Sequence, residues 1–406
     1  MSVQVQALEP GTTSRLMAEA DQSVMFIVNR PQTVFVRGKG SYLWDAEGRR
    51  YLDFIQGWAV NCLGHSPPAL VRAITRQAKL LVNASPALHN EPMIELAHAL
   101  TQHSALDRVF FANSGAEANE GAIKLARKWG ERNKHGAFEV VTAWNSFHGR
   151  TLAMMSATGK QHWEALFEPK VPGFHKVPFN DLGALRRAIG PRTCAVMLEP
   201  VQGEGGVFVA SKKYLQGVRQ LCDELGVLLI LDEIQTGMGR CGSLFAYEQY
   251  GIEPDIMTLG KGLGGGFPVA ALLAKESVSV FEAGDQGGTF CGQPLAMAAA
   301  KAVLDELLRK NIPRRAKTRG NALKRRLKEL GQEFGFTDIR GLGLLMAVDL
   351  PQDKGADVVA ACLERGLLIN APRPNTLRFM PALTVSNAEI DEMIDTLRGA
   401  LRQVLG

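Results

Sequence analysis

Long apolar runs are missing from this chain. No stretch of about 18 apolar residues occurs anywhere among its 406 residues, which excludes a membrane-spanning helix. The first 21 residues carry Glu9, Glu19 and Asp21 and lack the apolar block of a secretory signal. Cysteine is sparse. The six thiols, Cys62, Cys194, Cys222, Cys241, Cys291 and Cys362, include no C-x-x-C pair and no Cys/His cluster at zinc spacing. His65, His89 and His148 have no metal-like spacing either, so no metal is expected. Scattered free thiols fit a reducing compartment, and a cytoplasmic protein is the expectation. A strong excess of one charge is also absent. Lys and Arg number 46 against 41 Asp and Glu, a net of +5 with a pI near 8.8. That is far short of a nucleic-acid footprint. The most basic stretch, Arg314 to Lys328, spaces its charges like the wet side of a helix. Repeats and low-complexity tracts are lacking too.

What is present is alternation. A length of 406 residues exceeds one ordinary core and implies two or three units. The first twenty residues are polar and read as loosely held. Residues 33–55 alternate as a small meander, with turn signals at Gly38–Gly40 and Asp45–Gly48. From about residue 90 to 300, strand and helix patterns follow one another. VFFA (109–112) leads into a helix from Ala116 to about Arg132. FEVVTAW (138–144), CAVMLEP (194–200), VLLILDE (227–233), DIMTLGK (255–261) and FPVAALLA (267–274) are apolar enough for strands buried on both faces. A helix over Ser211–Leu225 puts Leu215, Val218, Cys222 and Leu225 on one face. This is an α/β unit with a mostly parallel sheet. Beyond the helix that starts at Pro294 the tail reads as compact α+β. The resulting division is an N-terminal segment (1–57), a large domain (58–309) and a small C-terminal domain (310–406), with the first packing on the last.

Ligands in such sheets sit beyond the carboxyl ends of the strands, and unusual residues gather there. Asn113-Ser114-Gly115-Ala116 joins a strand to a helix, where backbone N–H groups and the helix dipole attract an anion such as phosphate. A Gly-rich turn that is merely steric reads the same. Asp232 ends a fully buried strand; a carboxylate there needs a cationic partner, whether a ring nitrogen, a metal or a structural ion pair. Lys261 stands among the glycines of TLGKGLGGGFP. Close confinement favours its neutral, nucleophilic amine. Gly260–Gly265 satisfies G-x-G-x-x-G, but a strand-like segment follows where a dinucleotide site needs a helix. The Walker pattern fails because Gly262 stands where Ser or Thr is required. Phe147-His148-Gly149-Arg150-Thr151 puts an aromatic ring beside a guanidinium, a pairing that can stack on a ring and clamp a carboxylate. The five tryptophans read as packing or surface residues.

Together these motifs say more than each alone. NSGAEANEGAIK, FHGRT, EPVQGEGG (199–206), LDEIQTGMGR (231–240), TLGKGLGGGFP and GGTFCGQPLA (287–296) resemble, in order and spacing, the class III pyridoxal-phosphate (PLP) aminotransferases. The likeness runs from GSYLWDAEGRRYLDF to LRFMPAL. It implies a fold type I PLP-dependent transferase, and a homodimer with shared active sites. It implies that Lys261 carries PLP as a Schiff base and moves protons, and that Asp232 pairs with the pyridine nitrogen. Gln235 would reach the ring hydroxyl and Phe147 would stack on the ring. Ser114, Gly115 and Ala116 would bind the phosphate, and Thr289 would reach the phosphate of the neighbouring subunit. Arg150 and Arg378 would bind substrate carboxylates, with Glu204 covering Arg378 when the amino donor has only one. Within the family the nearer likeness is to members that pass an amine from acetylornithine to 2-oxoglutarate. Ornithine, 4-aminobutyrate and succinylornithine are the alternative donors. One departure stands out: a tyrosine often found near the segment corresponding to 25–38 is absent, with Val28 and Asn29 nearest. Isomerisation on the same scaffold, or a binding-only module, are rival readings, and the complete Lys/Asp/Arg/Glu set weighs against the latter.

Overall fold

The computed structural model describes residues 11–406; the first ten residues of the N-terminal segment lie outside it. The segment expected to be loosely held is instead a helix over Thr12–Ser23, though none of its residues is buried. Three short strands follow, β1 (Phe35–Lys39), β2 (Tyr42–Asp45) and β3 (Arg50–Asp53), in an antiparallel meander as the alternation requires.

A seven-stranded sheet forms the centre. Its strands are β4 (Arg108–Ala112), β5 (Glu139–Ala143), β6 (Phe174–Val177), β7 (Thr193–Leu198), β10 (Leu228–Asp232), β11 (Ile256–Leu259) and β12 (Ala270–Ala274). Between β7 and β10 the chain makes a small ribbon of β8 (Val201–Gln202) and β9 (Phe208–Val209). The order across the sheet is β4-β12-β11-β10-β7-β5-β6. The pairs β10–β11, β10–β7, β5–β7 and β5–β6 are parallel, while β12 runs antiparallel to both β11 and β4. Every residue of β5, β7, β10, β11 and β12 is buried, which is why their sequences are apolar without alternation.

The helix Gly115–Asn133 covers one face with Ala118, Ala122, Leu125 and Ala126. It starts at Ser114, whose hydroxyl accepts the Glu117 N–H at 3.4 Å. Glu117 in return accepts the Ser114 N–H at 3.2 Å and the Asn113 N–H at 2.7 Å. After two long helices, Pro294–Arg309 and Ile312–Phe334, the tail builds β13 (Asp338–Leu342), β14 (Leu345–Asp349), β15 (Leu367–Leu368), β16 (Asn370–Arg373) and β17 (Thr376–Phe379). Four of these form an antiparallel sheet in the order β13-β14-β17-β16. The fifth, β15, joins β3 in parallel, with Leu367 opposite Leu52. Among the described residues no helix is long and apolar enough to cross a membrane.

Candidate active site

The parallel strands end on one side, and their loops enclose a cavity of about 270 Å³. Gly115 and Ala116 line it from the end of β4, Phe147 and Arg150 from β5, Glu199 and Glu204 from β7, Asp232 and Gln235 from β10, and Lys261 from β11. A larger hollow of about 530 Å³ lies elsewhere, between residues 86–111 and the loop 286–292. Most of the site residues singled out from sequence converge on the smaller cavity and not on this one.

Asp232 is 4 % exposed and fully partnered. Its Oδ2 accepts hydrogen bonds from Asn119 Nδ2 at 2.8 Å and His148 Nδ1 at 2.8 Å, and its Oδ1 accepts the Ile234 N–H at 3.1 Å. Asn119 is itself held: its Oδ1 accepts the Thr258 hydroxyl at 2.7 Å, and its amide also donates to the His148 carbonyl at 2.7 Å. Burial alone would lower the His148 pKa, but the hydrogen bond and charge of Asp232 outweigh it and raise the imidazole above its ordinary value. Asp232 therefore has one fixed orientation, beside an imidazole that favours its protonated form.

Lys261 begins a short 3₁₀ turn directly after β11, with φ at +41°. A side-chain-bearing residue there costs on the order of 1–3 kcal/mol and persists only where the surroundings fix it. Burial pushes its ammonium below the usual lysine pKa; the Glu204 carboxylate opposes this, and the Arg378 guanidinium adds to it. The neutral amine needed for attack on a carbonyl is thereby favoured.

Arg378 projects from β17 and is wholly buried. Its Nη1 donates to the Gly203 carbonyl at 2.8 Å and to Glu204 Oε1 at 2.7 Å, and its Nε donates to Asn370 Oδ1 at 3.2 Å. Its Nη2 is buried with no partner among the described residues. Burial would raise the Glu204 pKa, but the charges of Arg378 and Lys261 hold the carboxyl down at about 2. Arg150 lies at the exposed mouth, its guanidinium 5.0 Å from the Trp163 ring and 5.9 Å from the Phe147 ring. Glu199 accepts the Phe147 N–H at 2.9 Å, and burial pushes its carboxyl up to about 7.

Two approaches are close enough to demand glycine. A Cβ on Gly203 would sit 1.5 Å from Gln235 Oε1, and one on Gly115 would sit 2.8 Å from Ile234 Cδ1. Both polar atoms of the Gln235 side chain are buried with no partner among the described residues. Such an amide, next to a partnered aspartate and a lysine, marks a seat for a polar, planar ligand.

Of the residues singled out from sequence, Lys261, Asp232, Gln235, Phe147, Gly115, Ala116, Arg150 and Glu204 share the cavity, and Arg378 reaches it through Glu204. Ser114 does not line it. Its hydroxyl and N–H are both spent on the helix cap, which leaves the next amides, those of Gly115 and Ala116, at the helix start. Thr289 is exposed on the loop beside the larger hollow, away from this cavity. Val28 and Asn29 are exposed as well, and Val28 lines a separate hollow with Phe26 and Phe35. Sequence reading missed Asn119, Thr258 and Glu199, and it left Trp163 as packing. Trp163 is buried, yet it meets Phe147 edge-on at 5.8 Å. A polar residue on the apolar face of the helix at Asn119 was the available signal.

A lysine, a held aspartate, a helix start and an unpartnered amide around one cavity define an enzyme that uses an aromatic aldehyde phosphate. The sequence model for "Aminotransferase class-III" matches residues 26–401. Acetylornithine aminotransferase of Ralstonia nicotianae is 55 % identical over 396 residues, covering 95 % of this chain and 99 % of that one. Among solved structures, ornithine aminotransferase of Toxoplasma gondii superposes with a TM-score of 0.93 at 34 % identity, covering 98 % of this chain and 96 % of that one. N-acetylornithine aminotransferase of Stenotrophomonas maltophilia gives 0.83 at 36 % identity, covering 96 % and 99 %. The chain belongs to the class III aminotransferases. It has the fold type I architecture of PLP-dependent transferases, and its cofactor is pyridoxal 5'-phosphate. The unpartnered Gln235 amide, the close-packed Gly115 and the oriented Asp232 suit that group.

Proposed function

We propose that this chain transfers the terminal amine of N2-acetyl-L-ornithine to 2-oxoglutarate, giving N-acetyl-L-glutamate 5-semialdehyde and L-glutamate, a step of arginine biosynthesis. The relatives' names and the ion pair between Glu204 and Arg378 support this reading. When bound, PLP supplies an electrophilic carbonyl and an electron sink. Lys261 would hold it, then take the proton from the substrate carbon that bears nitrogen and return it. Asp232 would hold the proton on the ring nitrogen, a charge-assisted bond of roughly 1.5–3 kcal/mol. Gln235 would bind the ring hydroxyl, Phe147 would cover one ring face, and the Gly115 and Ala116 amides would bind the phosphate.

The two substrates set a physical problem. Acetylornithine offers one carboxylate and glutamate offers two. Arg150 would take the carboxylate distant from the reacting nitrogen in both cases. Arg378 would take the second carboxylate of glutamate. With acetylornithine bound, Glu204 would stay on Arg378 and neutralise it. The observation that carries this reading is the 2.7 Å contact from Arg378 Nη1 to Glu204 Oε1 beside an unpartnered Nη2.

The test is spectroscopic. Each candidate amine is added to the PLP form without keto acid. Acetylornithine should bleach the bound-cofactor absorbance at the lowest concentration; preference for ornithine, 4-aminobutyrate or succinylornithine would replace the assignment. Lys261→Ala should lose the yellow colour. We further infer a cytoplasmic enzyme and a division into residues 1–57, 58–309 and 310–406, supported by the pairing of β15 with β3. We infer a homodimer in which Thr289 reaches the neighbouring subunit's cofactor. The exposed Leu88, Ile94 and Phe290 on the same side support it. Neither nucleic acid nor membrane is part of this reading.

A further inference from the structure

Lys160 is a cation without an anion of its own. It follows the helix Leu152–Ala157, and its carbonyl accepts the Trp163 N–H at 2.9 Å. Its Nζ lies 5.2 Å from the Phe147 ring centre and 5.1 Å from that of Trp163. The Arg150 guanidinium shares the same two rings. No hydrogen bond or ion pair holds the Lys160 ammonium among the described residues. Burial lowers its pKa, and the anion that most opposes this is the Glu204 carboxylate.

Glu204 has a problem that Lys160 can solve. At rest it lies on Arg378, 2.7 Å away and itself wholly buried. A substrate carboxylate that takes Arg378 must evict Glu204. The evicted carboxylate then faces a cavity whose other acidic groups, Glu199 and Asp232, repel it. A buried carboxylate without a cation is expensive. Three cations stand near: Lys261 is engaged in the chemistry, Arg150 is engaged by the substrate's other carboxylate, and Lys160 is free. Its four-carbon stem is flexible enough to follow a moving partner.

We propose that Lys160 is a specificity-determining positioning residue that receives Glu204 when a dicarboxylate occupies Arg378. This rests on the two-arginine reading above. It gives the switch a second defined state, with Glu204 on Arg378 for the monocarboxylate donor and on Lys160 for glutamate or 2-oxoglutarate.

The experiment measures both half-reactions by cofactor absorbance, on the holoenzyme, with glutamate and with acetylornithine as separate probes. The variants are Lys160→Met, Lys160→Arg, Glu204→Gln and the double variant Lys160→Met/Glu204→Gln. Lys160→Met should raise the half-saturating glutamate concentration about tenfold relative to that for acetylornithine, the scale of one lost charge-assisted hydrogen bond. Lys160→Arg should recover most of this. In the Glu204→Gln background, Lys160→Met should add nothing, because no displaced charge remains. Equal losses in both half-reactions would overturn the proposal, since that is how a structural lesion behaves. An undiminished penalty in the Glu204→Gln background would also overturn it, because Lys160 would then bind substrate directly. Arg378→Ala distinguishes the two levels. If it damages both half-reactions alike, the two-arginine reading falls and takes this proposal with it; if it damages glutamate alone, the Lys160 variants decide.

Discussion

In the proposed reaction Asp232 acts through its charge, so its own amide should not replace it. Asp232→Asn keeps the shape, but its amide nitrogen replaces one accepting oxygen, so it cannot accept from both Asn119 Nδ2 and the Ile234 N–H, and it brings no charge to stabilise a proton on a ring nitrogen or on His148. We expect kcat to fall at least about a hundredfold, the usual cost of removing one electrostatic stabiliser from a preorganised site. The cofactor should remain visible in the absorbance spectrum; unchanged turnover would remove Asp232 from the chemistry. Arg378→Ala should slow the glutamate half-reaction on the order of a hundredfold and the acetylornithine half-reaction far less, measured as kcat/KM for each. Asp232 was legible in sequence because a carboxylate at the end of an apolar strand needs a cationic partner, whereas Arg378 stood out only through the family resemblance. Asn119 was not legible in the same way. Asparagine is common near helix starts, and only the fold brings it 2.8 Å from a residue 113 positions away. Ser114 is ambiguous in sequence for a related reason: the motif that binds an anion and the motif that caps a helix use the same residue types.

At the scale of elements, the β8–β9 ribbon meets the tail through the Glu204–Arg378 ion pair and through hydrogen bonds from Arg378 to the Gly203 carbonyl and from Arg340 to the Gly206 carbonyl. Glu204 lies between its two strands and Arg378 lies on β17. The Glu204 pKa is about 2 when folded, against an ordinary 4.5, so the pair contributes fully above pH 4.5 and is lost as pH falls toward 2. The shift corresponds to about 3 kcal/mol at most. Glu199 and Glu233 act with the opposite sign. Burial raises both to about 7, so each withdraws stability as pH rises from 4.5 through 7. Comparing wild type with Glu204→Gln isolates the first effect. Wild type should lose more stability than the variant between pH 5 and pH 3 in urea titrations, and parallel losses would show that the pair contributes little. A second element-scale prediction concerns Gly203 in the same ribbon. A Cβ there would overlap Gln235 Oε1, so Gly203→Ala should displace the glutamine and weaken cofactor retention, read by dialysis and absorbance. Six of the seven central strands were readable as apolar runs, and the structure places each within a few residues; β6, FHKV and only partly buried, was not. The reversed direction of β12 was not readable, because a strand buried on both faces has the same composition whichever way it runs. The helix Thr12–Ser23 was missed because it buries nothing, and burial is what gives a helix its apolar period.

At the scale of the whole molecule, several large apolar side chains stand exposed among the described residues, some of them near Thr289 in sequence or in space. Leu88 is 59 % exposed, Ile94 54 % and Phe290 57 %, while Thr289, next to Phe290, is exposed and does not line the cavity of its own chain. Apolar side chains of this size gain roughly 1.5–3 kcal/mol each when fully covered, and clustered exposure of this kind marks an interaction surface. A second copy of the chain is the partner that would also give Thr289 a purpose. Leu88→Lys together with Phe290→Lys puts two charges into that surface on each subunit, four in all across a two-fold interface. The double variant should sediment as a monomer at concentrations where wild type is a dimer. If the active sites are shared, dissociation should also cost cofactor, because the loop carrying Thr289 leaves the neighbouring phosphate. The expected result is therefore a joint loss of dimer and of PLP absorbance, with far-ultraviolet circular dichroism unchanged. A monomeric double variant that retains full cofactor would keep the dimer but sever Thr289 from the phosphate, and a wild type that sediments as a monomer would remove both.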